Sequence, residues 1–187
     1  MPTAISDGAG RGILAAVDSN HRLEVHAQLD DRYEAINTGK SWSMTFEAVD
    51  PAGADDYFVY CNNTSTTETY IFTDLRIHST VAGTVVMEKV SGTAVYGGGG
   101  TDLDRVSRNL ASNLVPTGTY KSDTDITGLS AGGTLFTIYL KANDRTKLTT
   151  SAGVVIPPST SFALKWSEAT GVLSGTVSIT RIAPEEG

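Results

Sequence analysis

Residues 83–114 read GTVVMEKVSGTAVYGGGGTDLDRVSRNLASNL, and their reading decides the fold class. The first eight are rich in β-branched side chains, which suit the pleated, half-buried surface of a sheet. Gly97, Gly98, Gly99 and Gly100 then interrupt any regular element. A mixed polar and apolar segment follows, ending in Asn113 and Leu114. No residue in the stretch forms a catalytic constellation. It reads as architecture: a strand that leaves its sheet through a glycine hinge, then a segment along the surface or a subunit boundary. Leu103, Val106 and Leu110 are expected to point inward along that segment.

Working outward, period-two alternation recurs on both sides. Leu23, Val25 and Ala27 alternate with Glu24, His26 and Gln28. Trp42, Met44, Phe46 and Ala48 alternate with Ser41, Ser43, Thr45 and Glu47, and Phe162, Leu164 and Trp166 with Ser161, Ala163 and Lys165. Such alternation marks half-buried strands. Residues 57–61 form a continuous apolar run suited to a central strand, and further strands are expected at 69–77, 134–140, 147–150, 154–156 and 175–182. Pro157 and Pro158 lack backbone donors and end pairing after Ile156. About eight to ten strands at spacings of roughly ten to fifteen residues predict an all-β, antiparallel β-sandwich of jelly-roll-like form. Helical segments do not alternate with the strands, which argues against a parallel α/β sheet.

The 187 residues suffice for one well-cored domain. Charged residues make up only 19%, and Ser and Thr together number 42, a composition that suits sheets with polar outer faces rather than a helical bundle. Residues 1–20, small and glycine-rich, read as an N-terminal arm, with residues 21–187 as a single sandwich domain. Within the arm, Ile13, Leu14 and Val17 form an apolar patch able to dock on the same subunit or a neighbour. The start carries Asp7 and Asp18 and lacks a basic segment followed by a long apolar run, so neither a secretory signal nor a membrane span is expected. A formal charge of −7 with scattered bases argues against a nucleic-acid partner. Cys61 is the only cysteine, which excludes an intrachain disulfide and suggests a small buried side chain.

Motifs with chemical meaning fall short. Gly39-Lys40-Ser41 resembles the end of a phosphate-binding loop, but the position five before Gly39 is Glu34 rather than glycine. His21, His26 and His78 stand too far apart in sequence for metal-ligand spacing. The pairs Asp102/Asp104 and Asp123/Asp125 offer oxygen ligands to calcium, each with an incomplete set. Asn62 and Asn63 open overlapping glycosylation sequons that read as turn residues. No cofactor, metal or catalytic residue is expected, and the chain is read as not an enzyme.

The order of blocks resembles a class of tailed-bacteriophage virion proteins. Those blocks are Arg22-Leu23-Glu24-Val25-His26-Ala27, Gly39-Lys40-Ser41-Trp42-Ser43-Met44-Thr45-Phe46, Ala54-Asp55-Asp56-Tyr57-Phe58-Val59-Tyr60 and Leu75-Arg76-Ile77. They continue with Gly92-Thr93-Ala94-Val95, Arg108-Asn109-Leu110-Ala111-Ser112 and Val155-Ile156-Pro157-Pro158-Ser159-Thr160-Ser161-Phe162-Ala163-Leu164 before the final strand, with the Asn62-Asn63-Thr64-Ser65 turn between the third and fourth blocks, and the resemblance spans roughly residues 22–182. The family comprises capsid decoration, cement or head structural proteins. The resemblance implies a virion structural protein on the capsid surface, made in the host cytoplasm. Its partners would be the major capsid protein and further copies of itself, with a homotrimer favoured by local capsid symmetry. Ile13, Leu14, Val17, Leu103, Val106 and Leu110 are the candidate subunit or capsid contacts. The glycine run and the glycine-rich start depart from the pattern. An alternative reading is a carbohydrate- or receptor-binding module of a tail fibre, in which Trp42, Trp166, Tyr57, Tyr60, Tyr70 and Tyr96 stack on sugar rings. A third is an enzyme, either a small jelly-roll hydrolase or a cupin-like metalloprotein, and a cupin site needs clustered histidines on strands.

Overall fold

The computed structural model describes residues 35–182, except the side chains of 150–152, and the backbone of three short strands nearer the start. The chain divides into two compact units, Met1–Asp31 and Arg32–Gly187. In the first, β1 (Ile5–Ser6), β2 (Leu14–Val17) and β3 (Leu23–Glu24) pair antiparallel in the order β1-β2-β3. Of the strand expected at 22–27, Leu23 and Glu24 lie in β3, and the remainder is outside the described residues.

The second unit is an antiparallel β-sandwich of two five-stranded sheets. One contains β4 (Ser41–Val49), β6 (Thr69–Ser79), β9 (Asp104–Ser107), β11 (Arg145–Ile156) and β13 (Leu173–Ile182), in the order β11-β6-β13-β4-β9. The other contains β5 (Tyr57–Asn62), β7 (Gly83–Tyr96), β8 (Thr101–Asp102), β10 (Thr119–Leu140) and β12 (Ser161–Trp166), in the order β5-β12-β7-β10-β8. Alternation explains the facing surfaces. Trp42, Met44 and Phe46 of β4 and Val177 and Ile179 of β13 point toward Val85 and Met87 of β7 and Phe162, Leu164 and Trp166 of β12, and all are buried. Edge-to-face rings join the layers, with Phe46 and Phe58 centroids 5.7 Å apart and Phe72 and Phe162 6.0 Å apart.

β10 is 22 residues long and has two partners. Its first part pairs with β5 and its second with β7, while β12 lies between β5 and β7. The four strands therefore close on themselves. Ile126 stands opposite both Tyr57 and Tyr96 at the closure, and Tyr60, Val90, Ile126 and Ala163 form a second, smaller core. Closure requires the β7–β10 ribbon to bend, and three register shifts between Thr127 and Phe136 accommodate this. At the bend, a Cβ on Gly92 would lie 2.4 Å from the Gly128 carbonyl oxygen, so the two backbones approach as only glycine permits.

The strands expected from alternation at 41–48, 57–61, 69–77, 161–167 and 175–182 are present within a few residues. The expected strands at 147–150 and 154–156 are one strand, β11, broken by a register shift between Thr149 and Val154. β10 begins fifteen positions before the strand expected at Thr134, starting at Thr119.

Candidate functional site

The four glycines are not a hinge. They form a loop closed around one carboxylate. Asp123, buried in β10, accepts hydrogen bonds from the Gly98 N–H (2.9 and 3.1 Å to its two oxygens), the Gly100 N–H (2.7 Å) and the Asp125 N–H (3.3 Å). The Thr124 hydroxyl adds a donor at 3.2 Å. Glycine is needed because a Cβ on Gly98 would stand 2.9 Å from the Asp123 Oδ1, and Gly100 has a φ of +69°. Burial alone would raise the carboxyl's pKa. The backbone donors of Gly98, Asp125, Gly100 and Thr124 outweigh it and hold the carboxyl below its usual range.

Past this loop the chain changes sheets. β8 hydrogen-bonds β10 in one layer and β9 hydrogen-bonds β4 in the other. Leu103, between them, is 2% exposed, and its N–H donates to the Tyr120 carbonyl at 3.0 Å. The inward orientation expected for three leucine and valine side chains holds for Leu103 alone. Val106 is 47% exposed and Leu110 91%. Val106 lies on the outer face of an edge strand, and Leu110 in the loop that follows, so neither reaches the core of its own chain.

That loop is nevertheless tied down. The Arg108 N–H donates to the Ser41 carbonyl at 2.8 Å, and the Asn109 side-chain amide to the Asn37 carbonyl at 2.7 Å. The buried Trp42 indole donates to the Leu114 carbonyl at 2.8 Å, and the Thr117 N–H to the Tyr70 hydroxyl at 2.9 Å. Val106, Leu110, Leu114 and Val115 are half of the large apolar side chains that the described surface exposes. Apolar surface thus concentrates on one fixed segment, which suits it to contact with another macromolecule. Of the other candidate contacts, Ile13 lies outside the described residues. Leu14 and Val17 have their backbones in β2, and their side chains lie outside what is described.

Elsewhere the residues with chemical potential are built into the scaffold. Glu47, Asp102, Asp104 and Asp123 line a groove of about 420 Å³. Among the described residues no group of three or more His, Cys, Asp or Glu could hold a metal ion. Glu88, buried on β7, accepts from the Tyr57 hydroxyl and pairs with the Lys165 ammonium at 3.2 Å, so its charge is satisfied locally. Asn63 is buried, its amide donating to the Glu68, Ile156 and Pro157 carbonyls, as suits a turn residue. One Gly-x-Ser-x-Gly nucleophile signature, unexpected from the motifs above, is present at Gly128-Leu129-Ser130-Ala131-Gly132. Ser130 sits in the ladder opposite Ser91. The nucleophile elbow requires a strand-to-helix turn, so this match carries no such geometry.

Cys61 is buried, and burial pushes its thiol pKa up. It is expected to resist a thiol reagent such as DTNB in the native protein and to react fully in denaturant. Rapid stoichiometric labelling of the native chain would contradict the structure at β5.

No protein-family model, curated protein or solved structure matches this chain.

Proposed function

We propose that the protein is a virion structural protein that decorates or cements the capsid of a tailed bacteriophage. In this role it binds the major capsid protein at the capsid surface and assembles with copies of itself. The observation that carries the reading is the fixed, exposed apolar segment containing Val106, Leu110, Leu114 and Val115 on a β-sandwich scaffold. A decoration protein needs a scaffold that does not deform and a surface that gains by being covered. The chain's net charge of −7 favours dispersion of the decorated particles. The stacking platforms of the sugar-binding alternative fit less well, since Trp42 and Trp166 are buried.

The test is co-sedimentation of purified protein with undecorated heads of the parent phage. Wild type is expected to pellet with the heads. Leu110→Asp is expected to weaken that binding about thirty-fold or more, the effect of losing a central apolar contact. Its thermal unfolding should stay within about 0.5 kcal/mol of wild type, because Leu110 is almost fully exposed. Failure of wild type to bind heads at any concentration would overturn the reading.

A further inference from the structure

We infer that β9 pairs with β9 of a second copy across a two-fold axis at Val106. The inference deepens the contact-segment reading above and rests on it, naming a second copy as the partner at this surface.

The sandwich has several open strand edges, and most carry features that discourage pairing. β11 has Arg145 and Lys147, a register shift between Thr149 and Val154, and Pro157-Pro158 directly after it. The second part of β10 is broken by register shifts. β8 has two residues. Charges, bulges and prolines are the usual protections of an edge. β9 pairs with β4 without a shift and contains no proline, its two charges, Asp104 and Arg105, are of opposite sign, and among the described residues no strand lies beyond it. It is short, so the ladder sets register while the neighbouring apolar side chains supply the buried area.

The sequence of β9 is complementary to itself in one register. Asp104, Val106 and Arg108 share the exposed face, and Arg105 and Ser107 face the other way. A two-fold axis perpendicular to the sheet at Val106 sets Val106 against its own copy. It also sets Asp104 opposite Arg108 of the second copy, twice by symmetry. Opposite charges and apolar pairs facing each other stabilise antiparallel strands. Shifting the axis to Arg105 would oppose two arginines. The backbone agrees with the Val106 axis. The Arg108 N–H bonds to Ser41 of β4, so by alternation the N–H and C=O groups of Arg105 and Ser107 lie on the open side. With the axis at Val106, Arg105 stands opposite Ser107 of the second copy, and these free groups meet as hydrogen-bonded pairs. Val106 then forms a non-hydrogen-bonded pair, in which side chains are closest. Leu110 extends the contact beyond the strand.

Light scattering of the purified protein alone should give a dimer at tens of micromolar. Arg108→Asp, which opposes two carboxylates, should give a monomer that keeps the wild-type far-ultraviolet circular dichroism spectrum. The charge-swapped pair Asp104→Arg with Arg108→Asp should restore the dimer. Val106→Cys should oxidise to a cross-linked dimer, since the geometry of close non-hydrogen-bonded pairs admits a disulfide. Tyr139→Cys, exposed on β10, should not. A wild-type monomer or trimer, an unaffected Arg108→Asp, or a charge swap without rescue would overturn the inference. Head binding separates the two readings. A monomer that still pellets with heads defeats only this inference, and a dimer that never does defeats only the virion assignment.

Discussion

Asp123→Ala is expected to destabilise the Arg32–Gly187 unit by about 3–5 kcal/mol. The substitution leaves the N–H groups of Gly98, Gly100 and Asp125 without their acceptor. Each stranded donor in a shielded site costs about 1–3 kcal/mol, reduced where water enters. Asp123→Asn keeps one carbonyl oxygen and should cost roughly half as much. The pH dependence separates charge from shape. Because the folded carboxyl ionises more readily than the unfolded one, its contribution is fully present above the unfolded value of about 4. It is lost as the pH falls from there through the lower folded value. Urea unfolding at pH 7 should therefore show a wide gap between wild type and Asp123→Asn, and the gap should narrow toward pH 2. Equal stability of Asp123→Ala and wild type at pH 7 would mean that the glycine loop is not held by this residue.

Trp166→Ala should be as severe, at about 3–5 kcal/mol, the usual cost of removing a buried large aromatic side chain. Its ring is fully buried between the sheets, and its indole N–H donates to the Thr170 carbonyl at 3.0 Å. Gly83 lies against the ring so closely that a Cβ there would stand 2.5 Å from it. For a domain of this size the melting temperature should fall by roughly 10 °C. The experiment also weighs function. A sugar-stacking tryptophan is exposed, and its removal costs affinity while the fold survives. Loss of glycan binding by Trp166→Ala at unchanged melting temperature would reverse the assignment of this residue to the core.

These positions differ in how far they could be read from residues alone. Trp166 and Trp42 alternate with polar neighbours, and a strand with one face on a core has that pattern. The first part of β10 has no such pattern. Residues such as Asp123, Thr124, Thr127, Gly128 and Ser130 lie where the ribbon bends over a small second core, and few of them meet the main one. β9 is equally unmarked, since a short edge strand with polar or exposed side chains resembles a loop. Leu110 shows the converse. Its type suggests burial, but apolar side chains make up much of any protein surface, and type alone does not place one inside. The glycine run misled for a different reason. Composition sees freedom at Gly97–Gly100 in the chain, while the carboxylate that fixes the loop lies 25 residues beyond Gly98.

The place of β13 in its sheet bears on the order in which the protein can be made. It lies between β6 and β4, yet both of those strands precede it by many residues on the ribosome. Until β13 emerges, β4 and β6 are synthesised with no partner between them, their apolar faces open to other nascent chains. Ser41 and Thr180, whose hydroxyls meet at 3.0 Å, are 139 residues apart. Pairings of such separation form slowly, because a long loop must close before any contact rewards it. In a chain made from its N-terminus, this sheet is therefore completed only once β13 has emerged.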